Sequence, residues 1–310
     1  MCGSQIINRF GALLLLLMVL GFGWKLERAR AEEVPGTGLE VVHVKGNTFS
    51  CTYENMRHIF VLDLPENTEG APLVIMLPGY GNSAESFRNT IHFEQGANAS
   101  GYAVAYVTGA PNPYDRVSSV GWNSGISAEG NDDTAFLVSL VKYLQNEYSL
   151  DGKRTFAVGF SNGAFMTHRL AMEAGEIFSA CVSVAGLMPV KIWNERKAEN
   201  SVSFFQITGE KDDVVPKNID GSAKYAKDPA IEDVMTYWAE SDRLEICKSD
   251  TMENGSVMTK CQSDETQNQV WHLFVKNGRH SWPSEKLNGI DANRLILEFF
   301  AAVSPSAPHH

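Results

Sequence analysis

Thr155-Phe156-Ala157-Val158-Gly159-Phe160-Ser161-Asn162-Gly163 runs from an apolar, strand-like segment into the pattern G-x-S-x-G, and residues 164–172 follow with apolar side chains at three- and four-residue spacing. That spacing is the period of a helix. Strand, sharp turn and helix in this order form a nucleophile elbow. The chain reverses tightly, the serine is pushed into a strained and exposed position, and the flanking glycines remove side chains that would collide there.

Outward from the elbow, residues 72–77 are apolar throughout, and the same character returns at 102–107, 156–158, 180–185, 204–208 and 271–275. Continuous apolar runs of this length suit strands covered on both faces of a parallel sheet. Helix-length amphipathic segments lie between them, at 93–100, 133–148, 163–174 and 231–241, and a last one spans 291–303. Near the start, 38–44 and 57–64 read as the two strands of an antiparallel N-terminal hairpin. Alternating strands and helices imply crossover units, hence a mostly parallel central sheet with helices on both faces. With a serine elbow at mid-chain, this is the layout of an α/β-hydrolase fold.

The first 31 residues stand apart. Arg9 supplies a positive start, 10–24 are uncharged and apolar with five consecutive leucines, and Ala29-Arg30-Ala31 fits an A-x-A cleavage pattern. The expectation is a secretory signal peptide over 1–31 and a single catalytic domain over 32–310, secreted or periplasmic and with no membrane attachment after cleavage. The whole chain carries a formal charge of −11; losing 1–31 removes four basic residues and one acidic, leaving about −14. So acidic a surface disfavours nucleic acid and anionic membranes as partners. A chain of this length can bury one large core, and a monomer is expected.

Four cysteines follow the leader: Cys51, Cys181, Cys247 and Cys261. Cys247 and Cys261 flank a polar stretch, 248–260, that reads as a loop a disulfide could close, and this is the favoured pair among three possible pairings. Cys181 sits in an apolar run, where a cysteine serves as a small hydrophobe. No two cysteines or histidines stand at metal-ligand spacing apart from the terminal His309 and His310, so neither a metal nor a cofactor is expected.

A serine hydroxyl is a weak nucleophile and needs a base, and the base needs an orienting acid. In this fold they follow the serine in the order acid, then histidine. The turn after 204–208 contains Asp212 and Asp213; Asp212 is the first choice and Asp213 the alternative. The loop after 271–275 contains His280, the expected base. For these two, an ordinary turn aspartate and a surface histidine are the plain alternatives, against which position along the chain weighs. Two backbone N–H groups must face the developing oxyanion: Asn162, directly after the serine, supplies one, and Tyr80 in Pro78-Gly79-Tyr80-Gly81-Asn82 supplies the other. Trp122, in Gly121-Trp122-Asn123-Ser124-Gly125, reads either as a substrate wall or as a core tryptophan. Trp282, two residues past His280, is a second candidate for substrate contact. Asp132-Asp133 reads as a cap on the helix that begins there.

Gly-Phe-Ser-Asn-Gly-Ala at 159–164, Gly-Glu-Lys-Asp-Asp-Val-Val-Pro at 209–216 and Gly-Arg-His-Ser-Trp-Pro at 278–283 together resemble the secreted poly(3-hydroxybutyrate) depolymerase-like esterases, a group that includes feruloyl and acetylxylan esterases. The resemblance extends over nearly all of the chain after 31. It implies a serine carboxylesterase with Ser161 as nucleophile, Asp212 as acid and His280 as base, acting on a small-molecule or polysaccharide-linked ester. Feruloyl or acetyl esters of plant polysaccharide are the expected substrates. The alternatives, in order, are a depolymerase of poly(3-hydroxybutyrate) or its oligomers, a peptidase and a non-catalytic polysaccharide-binding protein. Two positions depart from the group: Pro78-Gly79 stands where relatives usually carry His-Gly, and Thr208-Gly209-Glu210 where they often carry His-Gly-Thr.

Overall fold

The computed structural model describes residues 32–33, 37–111, 119–126, 130–197, 200–215 and 229–304; the expected leader, 1–31, lies outside them. The chain opens with β1 (Glu32–Glu33), β2 (Leu39–Lys45), β3 (Thr48–Tyr53), β4 (Met56–Asp63) and β5 (Leu73–Leu77). It continues through α1 (Ala84–Ile91), α2 (Phe93–Ala99), β6 (Ala103–Val107), β7 (Ala110–Pro111), β8 (Val120–Gly121), α3 (Asp133–Glu147), β9 (Thr155–Phe160) and α4 (Asn162–Glu173). The remainder is β10 (Ala180–Val184), α5 (Val190–Asn194), β11 (Ser203–Gly209), α6 (Ile231–Ser241), β12 (Ile246–Thr251), β13 (Val257–Gln262), β14 (Val270–Val275), α7 (Glu285–Asn288) and α8 (Ala292–Val303).

Twelve strands form one sheet in the order β1-β2-β3-β4-β6-β5-β9-β10-β11-β14-β13-β12. The six from β6 to β14 run parallel, and antiparallel strands extend both ends. Every residue of β5, β6, β10 and β11 is buried, which is why these segments read as mostly apolar runs. One face is covered by α3, α4 and α6 and the other by α1, α2 and α8, giving two core clusters separated by the sheet. On the second face Phe300 of α8 stacks on Phe156 of β9 with centroids 4.3 Å apart, and both rings are buried. Burying an aromatic of this size stabilises the fold by about 2–3 kcal/mol, which fixes the last helix under the elbow strand.

Two expectations are corrected. The strands read at 38–44 and 57–64 do not pair with each other: β3 lies between β2 and β4 and pairs with both, making a meander. β3, Thr-Phe-Ser-Cys-Thr-Tyr, alternates polar and apolar residues in strict period two, a strand signal lying between the two segments read above, and it pairs with both. The stretch 248–260 is not a loop either. It belongs to the β12–β13 hairpin, in which Cys247 stands directly opposite Cys261 and the two form a disulfide with Cα atoms 4.1 Å apart. The favoured cysteine pair is therefore joined, but across a ladder. Its polar composition misled because β12 is exposed along its whole length at the sheet edge. Cys51 and Cys181 are free and buried, Cys181 within β10 as read.

Candidate active site

Ser161 sits between the end of β9 and the start of α4 with φ 52° and ψ −117°, a positive-φ conformation that costs a non-glycine residue about 1–3 kcal/mol. Its backbone is held on both sides: the N–H donates to Val184 O at 3.0 Å and the carbonyl accepts from Phe165 N at 3.0 Å. The elbow glycines are there for space. A Cβ on Gly159 would lie 2.1 Å from Gly163 O, and one on Gly163 would lie 2.0 Å from Leu77 O at the end of β5.

Asp212 and His280 come from the loops after the neighbouring strands β11 and β14. Gly209 and Gly278 bring these loops together, since a Cβ on Gly209 would approach Gly278 O to 2.7 Å. Lys211 N donates to Gly278 O at 2.7 Å, and the Glu210 carboxylate ties across to Lys276 Nζ at 2.6 Å and Asn277 N at 2.9 Å. Asp212 is thereby aimed with little freedom. Its Oδ1 accepts from Val214 N and Val215 N at 2.9 and 2.8 Å, and its Oδ2 lies 2.8 Å from His280 Nδ1. His280 Nε2 lies 2.9 Å from Ser161 Oγ. The three expected side chains thus stand in one hydrogen-bonded line, with Asp212 1% and His280 16% exposed at the side chain. Asp213 is exposed and outside it. Such a line can carry a proton from hydroxyl to imidazole while a buried carboxylate steadies the imidazolium that results.

The two expected oxyanion donors flank Ser161. Asn162 begins α4, where the helix dipole also favours negative charge. Tyr80 lies in the loop after β5, and the neighbouring Gly79 packs so close to Ser161 that a Cβ there would lie 3.2 Å from the serine Cβ. Bonds on either side of Tyr80 hold this loop: Asn82 N donates to Gly79 O at 3.1 Å, and Gly81 N to Val120 O at 2.8 Å.

Of the two open readings of Trp122, the structure supports the core one, and the substrate-wall expectation is corrected. The side chain is 6% exposed within the first core cluster, and its Nε1 donates to Pro78 O at 3.0 Å. The glycine-bounded sequence looked open because glycines also serve close packing, here against the Tyr80 ring, which a Cβ on Gly121 would approach to 2.7 Å. Trp282 is placed differently. It lines a cavity of about 650 Å³ together with Phe87, Ile91, Phe160 and Leu287, bordered by Asn82 of the oxyanion loop and by Ser281. Its ring meets Phe87 edge-on at 5.8 Å, and its Nε1 donates to Asn293 Oδ1 at 3.0 Å. Helix α1, which contributes Phe87 and Ile91, was not anticipated, although Ser83 caps it by accepting from Ser86 N.

The reading of Asp132-Asp133 holds for the first residue alone. Asp132 Oδ1 caps α3 through Ala135 N at 3.0 Å, whereas Asp133 is 1% exposed and accepts from Asn123 N at 2.6 Å. Burial pushes the Asp133 carboxyl up to about 6, against the opposing pull of that backbone bond and of Arg169. Among the described residues, no three His, Cys, Asp or Glu side chains converge as a metal site would require.

The family model described as esterase PHB depolymerase matches residues 59–243. The chain is 31% identical over 127 residues to an acetylxylan esterase of Coprinopsis cinerea, a match covering 39% of this chain and 33% of that protein. It is 27% identical over 127 residues to feruloyl esterase B of Talaromyces funiculosus, covering 40% and 35%. The match thus spans about a third of the length of either relative. Among solved structures, the acetyl xylan esterase from Aspergillus awamori superposes with a TM-score of 0.58 at 14% identity, covering 85% of this chain and 99% of that one, a likeness of fold.

Proposed function

The chain belongs to the esterase PHB depolymerase family of the α/β-hydrolase superfamily, and we propose that within it the protein is a secreted serine carboxylesterase working through an acyl-enzyme. The observation that carries this reading is the continuous Ser161–His280–Asp212 hydrogen-bonded line, with links of 2.9 and 2.8 Å, on the loops that follow three adjacent or near-adjacent strands. In the proposed reaction Ser161 Oγ attacks the ester carbonyl carbon as its proton passes to His280 Nε2. The carbonyl oxygen becomes an oxyanion facing the N–H groups of Asn162 and Tyr80. The C–O bond to the alcohol then breaks, and His280 returns the proton to the departing oxygen. Water, deprotonated by His280, attacks the acyl-serine and releases the carboxylic acid.

The substrate class proposed is a feruloyl or acetyl ester on plant polysaccharide, which fits the acetylxylan and feruloyl esterases among the relatives. The cavity lined by Phe160 and Ser281, the chain neighbours of Ser161 and His280, supports it as well. Its volume falls within the range of small-molecule sites, about 300–1,000 Å³, and Trp282, Phe87 and Ile91 offer apolar walls to a planar or aliphatic group. Residues 1–31 are proposed to be removed on export, leaving one catalytic domain; among the described residues no helix is long and apolar enough to cross a membrane.

Hydrolysis of p-nitrophenyl acetate by the protein and by its Ser161→Ala variant tests the mechanism. Turnover by the parent and its loss in a variant with unchanged melting temperature is the expected result, and residual serine-independent turnover at the parental rate would refute it. Methyl ferulate, acetylated xylan and hydroxybutyrate oligomers then rank the substrates.

A further inference from the structure

Asn162 and Trp122 are 40 positions apart and are joined side chain to backbone. The Asn162 side-chain amide meets the Trp122 backbone at two points: Oδ1 accepts from Trp122 N at 2.7 Å, and Nδ2 donates to Trp122 O at 3.2 Å. The same Nδ2 reaches Ser124 Oγ at 3.4 Å. Trp122 in turn donates its indole Nε1–H to Pro78 O, the first carbonyl of the loop that carries Tyr80. A hydrogen-bonded path therefore runs from the residue whose backbone N–H is one expected oxyanion donor to the loop that holds the other.

The surroundings leave this path little slack. Gly121 lets the Tyr80 ring and the Asn162 amide close in, since a Cβ there would lie 2.7 Å from the first and 3.2 Å from the second. A Cβ on Gly109 would lie 2.4 Å from Gly121 O, so the short β7–β8 ladder presses on the same segment. Behind it, Asn123 is gripped at both backbone groups, its N–H by Asp133 Oδ2 and its carbonyl by Arg169 Nη1. Electrostatic stabilisation of an oxyanion depends on donors fixed before the charge appears, and a misplacement of about 1 Å can cost about 100-fold in rate.

We infer that the Asn162 and Trp122 side chains are positioning residues that lock the two halves of the oxyanion hole, the Asn162 N–H and the Tyr80 loop, into one rigid unit. This rests on the serine-esterase reading above. The residue after the nucleophile then serves twice, its backbone facing the substrate while its side chain sets the opposite wall. Neither side chain touches the reacting atoms.

The test uses Trp122→Phe, which keeps a ring but loses the Nε1 donor, Asn162→Ala, which keeps the backbone N–H, and the double variant. With p-nitrophenyl acetate each single variant is expected to lose about 10- to 100-fold in kcat with KM within about twofold. Affinity for a trifluoromethyl ketone, which adds to the serine and places a charged oxygen in the hole, should fall by a similar factor. The double variant should lose little more than either single one, because both act along one path. Unchanged kcat, or a kcat loss with ketone affinity per folded molecule intact, would overturn the inference. If Trp122→Phe does not fold, Asn162→Ala decides by the same comparison. Turnover surviving in Ser161→Ala would instead bring down the underlying mechanism, and this inference with it.

Discussion

Asp212 lies under the loop with both oxygens engaged, while Asp213 beside it points to solvent. Two adjacent carboxylates therefore have opposite environments. In the proposed mechanism Asp212 keeps Nδ1 of His280 protonated and balances the imidazolium, so Asp212→Asn should lower kcat by about 10⁴-fold while leaving the melting temperature within a few degrees. Asp213→Asn should leave kcat within about twofold. Steady-state kinetics on the pair decides, and equal losses in both would move the acid's role away from Asp212. From sequence the turn was legible as the place of the acid, and the choice between neighbours rested on order and resemblance. What separates them physically is the backbone donation from Val214 and Val215 to one carboxylate.

Helix α4 carries two features that its period alone does not reveal. A glycine in a helix is ordinarily a weakness of about 1 kcal/mol relative to alanine. At Gly163 the sign reverses, since the added Cβ would meet Leu77 O at 2.0 Å and force the helix off β5. Gly163→Ala should destabilise by about 3 kcal/mol or more, read as a lowered urea midpoint; a raised midpoint would show that the elbow has slack. His168, one turn further on, is fully buried, stacks on Phe204 at 4.5 Å and has no hydrogen-bond partner at either ring nitrogen. Burial pushes its imidazole down to about 3, against a smaller upward pull from Gln206. Because the folded value lies below the ordinary 6.5, only the unfolded chain gains this proton between the two. The stability it permits is full above 6.5 and falls as the pH drops from there toward 3, by about 2 kcal/mol at pH 5. His168→Phe should remove that loss, so that the change in stability from pH 7 to pH 5, read from urea unfolding, is more favourable in the variant than in the parent by about 2 kcal/mol. Asp133 and Asp242, both pushed up to about 6 by burial, act in the opposite direction in parent and variant alike. An identical slope in the two proteins would mean that His168 takes up the proton in the folded state.

At the scale of the whole molecule, a strongly acidic chain with a hairpin disulfide fits the proposed export. Expression through a secretory route should yield an intact mass that starts at Glu32; a retained 1–31 would make that segment an anchor instead. The central architecture was readable from sequence because its signals are local. Strands buried on both faces are predominantly apolar, an elbow must have its glycines, and acid and histidine must follow the serine in order. Segments whose partners lie elsewhere in space were not readable in this way. β12 is polar because it is an edge strand, and Trp122 is buried and hydrogen-bonded because Pro78 and Asn162, distant along the chain, reach it. The sequence by itself determined the fold class, favoured one disulfide pair among three and, with the family resemblance, singled out the three residues proposed for catalysis. Tertiary structure alone decided that Ser161 and His280, 119 positions apart, stand 2.9 Å from each other, and that Gly209 meets Gly278. The physical reason is that a contact depends on how neighbouring strands align and where their loops turn, which no single stretch of chain encodes.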